Sequence, residues 1–232
     1  MLGGYHEFDG TVEFYGRLAS ILQPTHTVLD LGAGRGAWYS EEHCDTRRRV
    51  RDLKPHVGRL IGCDVDPVVL SNPTTSENLL ISDGNLPVAD ASIDVILADF
   101  VFEHIPDPAK FAREIHRVLK PGGYLCARTP HKYHYVAFAA RLVSNRKHAG
   151  VLGHAQPVRK TEDIFPTAYR LNTLRDVKKT FAGYRSYSYL YAGEPTYFFG
   201  SKLGYRLFSA LHKLLPPVLI SNIFIFLQKP AS

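Results

Sequence analysis

The run Val28-Leu29-Asp30-Leu31-Gly32-Ala33-Gly34-Arg35-Gly36 constrains the fold of this chain more than any other stretch. It reads as a short buried strand that ends in an acid and turns through glycines towards a helix. A turn that bends tightly and lets a ligand approach its backbone has no room for Cβ atoms, so glycine recurs there. At the carboxyl end of a central parallel strand, such a turn is where doubly wound α/β sheets bind nucleotide-like ligands.

The rest of the chain supplies the sheet. Apolar periodicity predicts strands at 27–31, 59–64, 78–82, 93–98, 124–129, 185–191 and 220–228. Helices are predicted over 8–22, from about Ala37, near Asp66–Leu70, and over 108–119, 170–182 and 197–215. Pro24 stops the first helix, and Lys120-Pro121-Gly122-Gly123 closes the one before it. Asp66-Pro67 reads as an N-cap followed by proline at the first helical position. Short buried strands alternating with helices predict a parallel, doubly wound sheet with right-handed crossovers.

With 232 residues the chain suits one well-buried domain, and a 45% apolar content is that of an ordinary globular protein. The start Met1-Leu2-Gly3-Gly4-Tyr5 has no secretory pattern, and no stretch approaches the roughly 20 apolar residues of a spanning helix. Cys44, Cys63 and Cys126 are isolated and lack zinc spacing; two of them sit in predicted strands and read as small buried hydrophobes, which fits a reducing, cytoplasmic compartment. The net charge of +6 is unevenly spread. Residues 1–127 hold 12 Lys and Arg against 18 Asp and Glu, whereas 128–180 hold 11 against 3 and 181–232 hold 5 against 1. The second half therefore offers either a solvated basic face or a surface for an acidic partner.

Taken alone, the glycine turn fits a dinucleotide pattern as well as a methyl-donor pattern. Asp30 stands two residues before the first glycine, where a carboxylate can face an ammonium group. Asp64 ends the second strand, where it can accept bonds from both hydroxyls of a ribose. The run Ser82-Asp83-Gly84-Asn85-Leu86-Pro87 leads on to Asp90, Ser92 and Asp94, and Leu119-Lys120-Pro121-Gly122-Gly123 precedes the fifth strand.

With these four elements in this order over residues 8–130, the chain resembles the class I S-adenosylmethionine-dependent methyltransferases, in particular the ubiquinone/menaquinone methyltransferase-like group. Ile93 stands where that pattern usually has Phe. The resemblance implies a Rossmann-like, seven-stranded α/β sheet, mostly parallel with an antiparallel last strand and helices on both faces. It implies S-adenosyl-L-methionine as cofactor, held by Asp30, Gly32, Ala33, Gly34, Gly36, Asp64, Val65, Asp83, Gly84 and Asp99. It also implies that acceptor contacts follow strands four and five.

Methyl transfer from a sulfonium is an in-line displacement with a neutral leaving group, so alignment and exclusion of water supply much of the catalysis. A base is required only where the acceptor must lose a proton. His104, His131 and His134 are the candidate bases, and the alternative for each is a histidine of the helix or loop surface. No metal is expected: His131, His134, His148 and His154 lack companion acids and ligand spacing.

Residues 131–169 read as an insertion or cap towards the acceptor, and 170–232 as closing helices and last strands. Tyr169, Arg170 and Asn172 suit a polar, sugar-like or phosphorylated acceptor, or else pack the lobe onto its helix. Residues 203–227 are apolar with basic flanks and read as closing helix and last strand, with a peripheral membrane helix as the alternative. The expected activity is methyl transfer to a small polar or glycan-type acceptor, lipid-linked acceptors included. The rivals are an RNA or protein methyltransferase, a non-catalytic cofactor-binding module and, behind these, an NAD oxidoreductase. Nucleic acid is the weaker partner expectation, because no RNA-binding appendage is seen.

Overall fold

A computed structural model of the protein describes residues 2–135, 166–193, 202–212 and 214–231. Five strands run parallel: β1 (Thr27–Leu31), β2 (Arg59–Asp64), β3 (Glu77–Leu80), β4 (Ile93–Asp99) and β5 (Leu119–Pro130). Three more complete the sheet: β6 (Arg185–Ser186), β7 (Tyr189–Ala192) and β8 (Ser221–Gln228). The order is β3-β2-β1-β4-β5-β8-β6, with β7 also on β8. β8 lies antiparallel to β5, as expected of the last strand. The order reverses between β1 and β4, which makes the carboxyl end of β1 the topological switch point.

Eight strands replace the expected seven because the predicted strand 185–191 divides. β6 and β7 keep one register along β8, but between them the Ser188 hydroxyl takes the Phe226 N–H and interrupts the ladder. The Lys120–Gly123 turn is also more than a helix stop. Leu119 already pairs with Ile93, and pairing resumes at Tyr124 with Val95, so the four residues between bulge out of β5. At Gly123 a Cβ would sit 2.8 Å from the Asp94 carbonyl.

Helices cover both faces. On one lies α1 (Gly10–Ala19), capped by the Asp9 carboxylate on the N–H groups of Thr11 and Val12. Its Phe14, Tyr15 and Leu18 join Val28, Leu60, Val95, Leu97 and Cys126 in a core cluster. After the glycine turn come α2 (Trp38–Glu41) and α3 (Asp45–Arg51), two short helices where one was predicted. The other face carries α4 (Pro108–Val118), capped by Asp107, and α5 (Leu174–Thr180), capped by Thr173. Their Ile115, Val118 and Val177 pack on Leu29, Leu31, Ile96 and Ala98.

The last helices are α6 (Lys202–His212) and α7 (Pro217–Ile220). Leu207, Leu211 and Leu214 are exposed, so this part of the predicted closing helix does not pack them into the sheet. Cys63 and Cys126 are buried free thiols, as read from the sequence. Most of the expected 131–169 insertion, with His148 and His154, lies outside the described residues.

Candidate active site

Strand parity decides which side chains meet at the switch point. Successive residues of a strand point to opposite faces, and β1, β2, β4 and β5 are in register at their carboxyl ends, Asp30 beside Gly62 and Leu97, Asp99 beside Arg128. Asp30, Asp64, Asp99 and Arg128 thus share the α1 face with Val28, Leu60, Leu97 and Cys126. Three acids from distant positions converge beside the glycine turn.

The turn is built as a cradle. Gly32 and Ala33 donate their N–H groups to the Cys63 carbonyl at 2.7 and 3.2 Å, and Gly34 donates to Asp64 Oδ2 at 2.9 Å. Asp64 Oδ1 accepts the Asp66 N–H at 3.0 Å. A carboxylate has about four acceptor positions, so Asp64 keeps capacity for two further hydroxyls. Behind the turn, buried Asn72 donates to the carbonyls of Ala33 and Gly34, each at 3.0 Å, while its Oδ1 accepts from Thr74. Gly32 and Gly36 have φ of +75° and +68°, and a Cβ at either would collide with Val101 or with Asn72. Gly34 has φ of +51°, and a Cβ there would meet Asp64 Oδ2 at 4.0 Å, an ordinary contact. Asn72 had no signal in the sequence beyond a turn-like Asn-Pro pair.

The acids are unequally neutralised. Asp99 binds the Arg128 guanidinium through Nε and through Nη2, the latter at 2.9 Å, and accepts the Tyr15 hydroxyl at 3.0 Å. Arg51 adds a more distant contact at 3.7 Å. Burial raises the Asp99 carboxyl, but Arg128 first, then Arg51 and Tyr15, outweigh it and hold the group below its ordinary value. Arg128 is itself buried, bonded to Thr11 and lying over the rings of Phe100, Phe14 and Tyr15. Asp99, expected at the cofactor, thus has its carboxylate engaged with Arg128. A cationic residue within the apolar run Tyr124-Leu125-Cys126-Ala127-Arg128 was the available sign of this pair.

Asp30 differs. Burial first, then the neighbouring Asp99 and Asp64 carboxylates, push its pKa up to about 7, against the pull of Arg51. The site therefore favours an incoming cation. Further out, Val65 is 62% exposed next to Asp64. Asp83 and Gly84 form an exposed turn with φ of +56° and +69°, whose Asp83 carbonyl accepts Lys110 Nζ at 2.7 Å. Asp66 caps its short helix, as read from the sequence.

The opposite face holds a second polar group. Buried Glu103 accepts the Thr129 hydroxyl at 2.8 Å, and buried Asn172 donates to Thr129 Oγ1 at 2.6 Å and to the Pro130 carbonyl at 3.0 Å. Asn172 Oδ1 is buried without a hydrogen-bond partner. Residues 166–172 are laid over the end of β4: Ala168 and Tyr169 donate N–H to the Glu103 carbonyl, and His104 Nδ1 lies 2.9 Å from the Pro166 carbonyl. Tyr169 and Leu171 are buried and Arg170 is exposed, so this segment serves packing and surface at once.

The three histidines are not alike. His131 is buried, and its Nδ1 lies 3.1 Å from the Val218 carbonyl and 3.3 Å from the Tyr133 N–H; burial lowers its pKa. His134 is pushed down to about 4 by burial, His212 and His131. So weak a base accepts a proton poorly at neutral pH. Among the described residues, no group of three or more His, Cys, Asp or Glu is arranged to hold a metal ion.

A doubly wound sheet with this glycine cradle and these strand-end acids defines the class of Rossmann-like nucleoside-binding proteins. Two family models, each described as a methyltransferase domain, match residues 29–127 and 81–181. Among curated relatives, an arsenite methyltransferase of Halobacterium salinarum is 32% identical over 113 residues, 44% of this chain and 26% of that protein. A protein of Mycolicibacterium smegmatis described as a probable S-adenosylmethionine-dependent methyltransferase is 35% identical over 109 residues, 45% of this chain and 38% of that one. The match thus spans less than half the length of these relatives. The solved S-adenosylmethionine-dependent methyltransferase of Mesorhizobium loti superposes with a TM-score of 0.59 at 17% identity, covering 96% of this chain and 100% of that one, which shows the fold. The chain thus matches methyltransferase-domain models over residues 29–181 and has the fold of the S-adenosylmethionine-dependent methyltransferases, and S-adenosyl-L-methionine is the cofactor that these likenesses imply.

Proposed function

We propose that this chain transfers a methyl group from S-adenosyl-L-methionine to a small polar or glycan-type acceptor, lipid-linked acceptors included. The observation that carries the reading is the uncompensated acidity around Asp30. The cofactor brings an ammonium and a sulfonium, the charges that a carboxyl raised by burial and by two neighbouring carboxylates would favour. A dinucleotide instead brings its anionic pyrophosphate to such a turn, with the cationic nicotinamide ring farther away.

In this reading the backbone of the Gly32–Gly36 turn packs closely against the amino-acid part of the cofactor, with Asp30 on its ammonium. Asp64 accepts from the ribose, Val65 flanks the adenine, and Asp83 with Gly84 reads its amino edge. Asp99 acts indirectly, by holding Arg128 and Tyr15 beside the site. The bound cofactor supplies an electrophilic methyl, and the chain's own work is alignment and exclusion of water. Glu103, Thr129, His131 and Asn172 line the acceptor side. Where the acceptor must lose a proton, His131 is the favoured base: in the tautomer that donates from Nδ1 to the Val218 carbonyl, Nε2 keeps the lone pair. A macromolecular acceptor, RNA or protein, is the second reading, favoured by the basic excess after residue 127.

Calorimetry with S-adenosylmethionine, S-adenosylhomocysteine and NAD tests the donor. Binding of NAD but of neither sulfur compound sinks the proposal. Incubation with labelled donor and fractionated cell extract, followed by mass identification of the product, tests the acceptor. Label in RNA or protein selects the second reading, and a donor-binding protein that labels nothing favours a non-catalytic module.

A further inference from the structure

Helix α6 leaves three leucines in water: Leu207 is 68% exposed, Leu211 42% and Leu214 82%. Their spacing of four and three residues sets them along one side of a helix. The Leu214 N–H bonds to the Leu211 carbonyl at 3.0 Å, which carries the helical turn past the end of α6. On the inner side, the His212 ring meets Tyr135 edge-on at 5.7 Å, tying the helix to the segment that follows β5.

The charge around this stripe has one sign. In the sequence flanking it, residues 195–215 contain Lys202, Arg206 and Lys213 and no Asp or Glu. Arg206 is exposed next to Leu207. Leucines on one side of a helix, in a stretch of sequence whose charges are all cationic, match an anionic bilayer, whose acyl boundary takes the leucines while its phosphates meet the cations. We propose that α6 docks this chain on an anionic phospholipid surface. The docking does not depend on the methyl-transfer reading. It would bring the acceptor side close to the bilayer, since α7 follows α6 directly and its Val218 carbonyl is bonded to His131.

Co-sedimentation of the full chain with vesicles of phosphatidylcholine alone, and of phosphatidylcholine mixed with phosphatidylglycerol, tests this. Binding is expected to the mixed vesicles only, weakening as salt is added. The triple variant Leu207→Ser, Leu211→Ser, Leu214→Ser should lose binding while keeping the circular dichroism and melting temperature of the parent, because the three side chains are exposed. Arg206→Ala should weaken binding by about fivefold, as for one cation near an anionic surface. Failure of the folded parent to bind mixed vesicles at low salt overturns the proposal, as does undiminished binding by the leucine variant. A leucine-dependent dimer in sedimentation velocity, without vesicle binding, would assign the stripe to a second copy and overturn it as well.

Discussion

At the carboxyl ends of β4 and β5 the two faces of the sheet are built from different chemistry. On the α1 face, acids outnumber their partners: Asp99 is matched by Arg128, while Asp30 and Asp64 are left for a ligand. On the α5 face, Glu103, Thr129 and Asn172 satisfy one another through hydroxyl and amide, with a single orphan acceptor on Asn172. In the proposed reading the first face meets the cation-bearing cofactor and the second the acceptor. The difference teaches that adjacent residues of one strand, Arg128 and Thr129, serve separate sites because the pleat sends them apart.

Removing the charge match on the α1 face should have the largest effect. Arg128→Ala leaves Asp99 buried without its main partner and should cost about 3–5 kcal/mol of stability, read from urea unfolding. A loss below about 1 kcal/mol would mean that the pair is not holding the face together. Next comes the cradle. Gly36→Ala forces a side chain into Asn72 at positive φ, and a loss of about 1–3 kcal/mol is expected by thermal unfolding, with weakened cofactor binding. Asp64→Ala should weaken S-adenosylmethionine binding by about 1–3 kcal/mol with little change in melting temperature; unchanged affinity in calorimetry would remove Asp64 from the cofactor site.

Thr129→Val tests whether the faces are separate. It removes the hydroxyl shared by Glu103 and Asn172 and should cost about 1–2 kcal/mol of stability while leaving cofactor affinity as it was. A parallel fall in cofactor affinity would join the two faces into one site. The smallest effect is expected from pH, because Asp30 is only half-buried by accessible surface. Its folded pKa of about 7 lies above the unfolded value of 3.8, so the fold prefers the protonated acid. That contribution is present below about pH 4 and is lost as pH rises to about 7. Stability from this group therefore falls across that window, and Asp30→Asn should flatten the profile. An unchanged profile would show that the carboxyl is not shifted.

Local chemistry made much of this readable in advance. Asp66 caps its short helix as expected and the glycine run is the turn it resembled, whereas the first helix, expected over 8–22 with Pro24 as its stop, already ends at Ala19. Interactions across sequence distance were not readable. Asn72 supports Ala33 and Gly34 from 39 and 38 residues away, and Tyr15 reaches Asp99 over 84. The split of 185–191 into β6 and β7 depends on one serine hydroxyl meeting a strand that begins more than thirty residues later.

By itself the sequence determined the five parallel strands and the antiparallel last one, the glycine turn, and the acids near the ends of β1 and β2. Each follows from what a few neighbouring residues allow their own backbone to do. Only the tertiary structure decided that Arg128 would take Asp99 and leave Asp30 raised, that Asn72 would brace the turn, and that the α6 leucines would stay in water. Those outcomes rest on which groups compete for the same partner, and competition is settled only when strands far apart in the chain lie side by side.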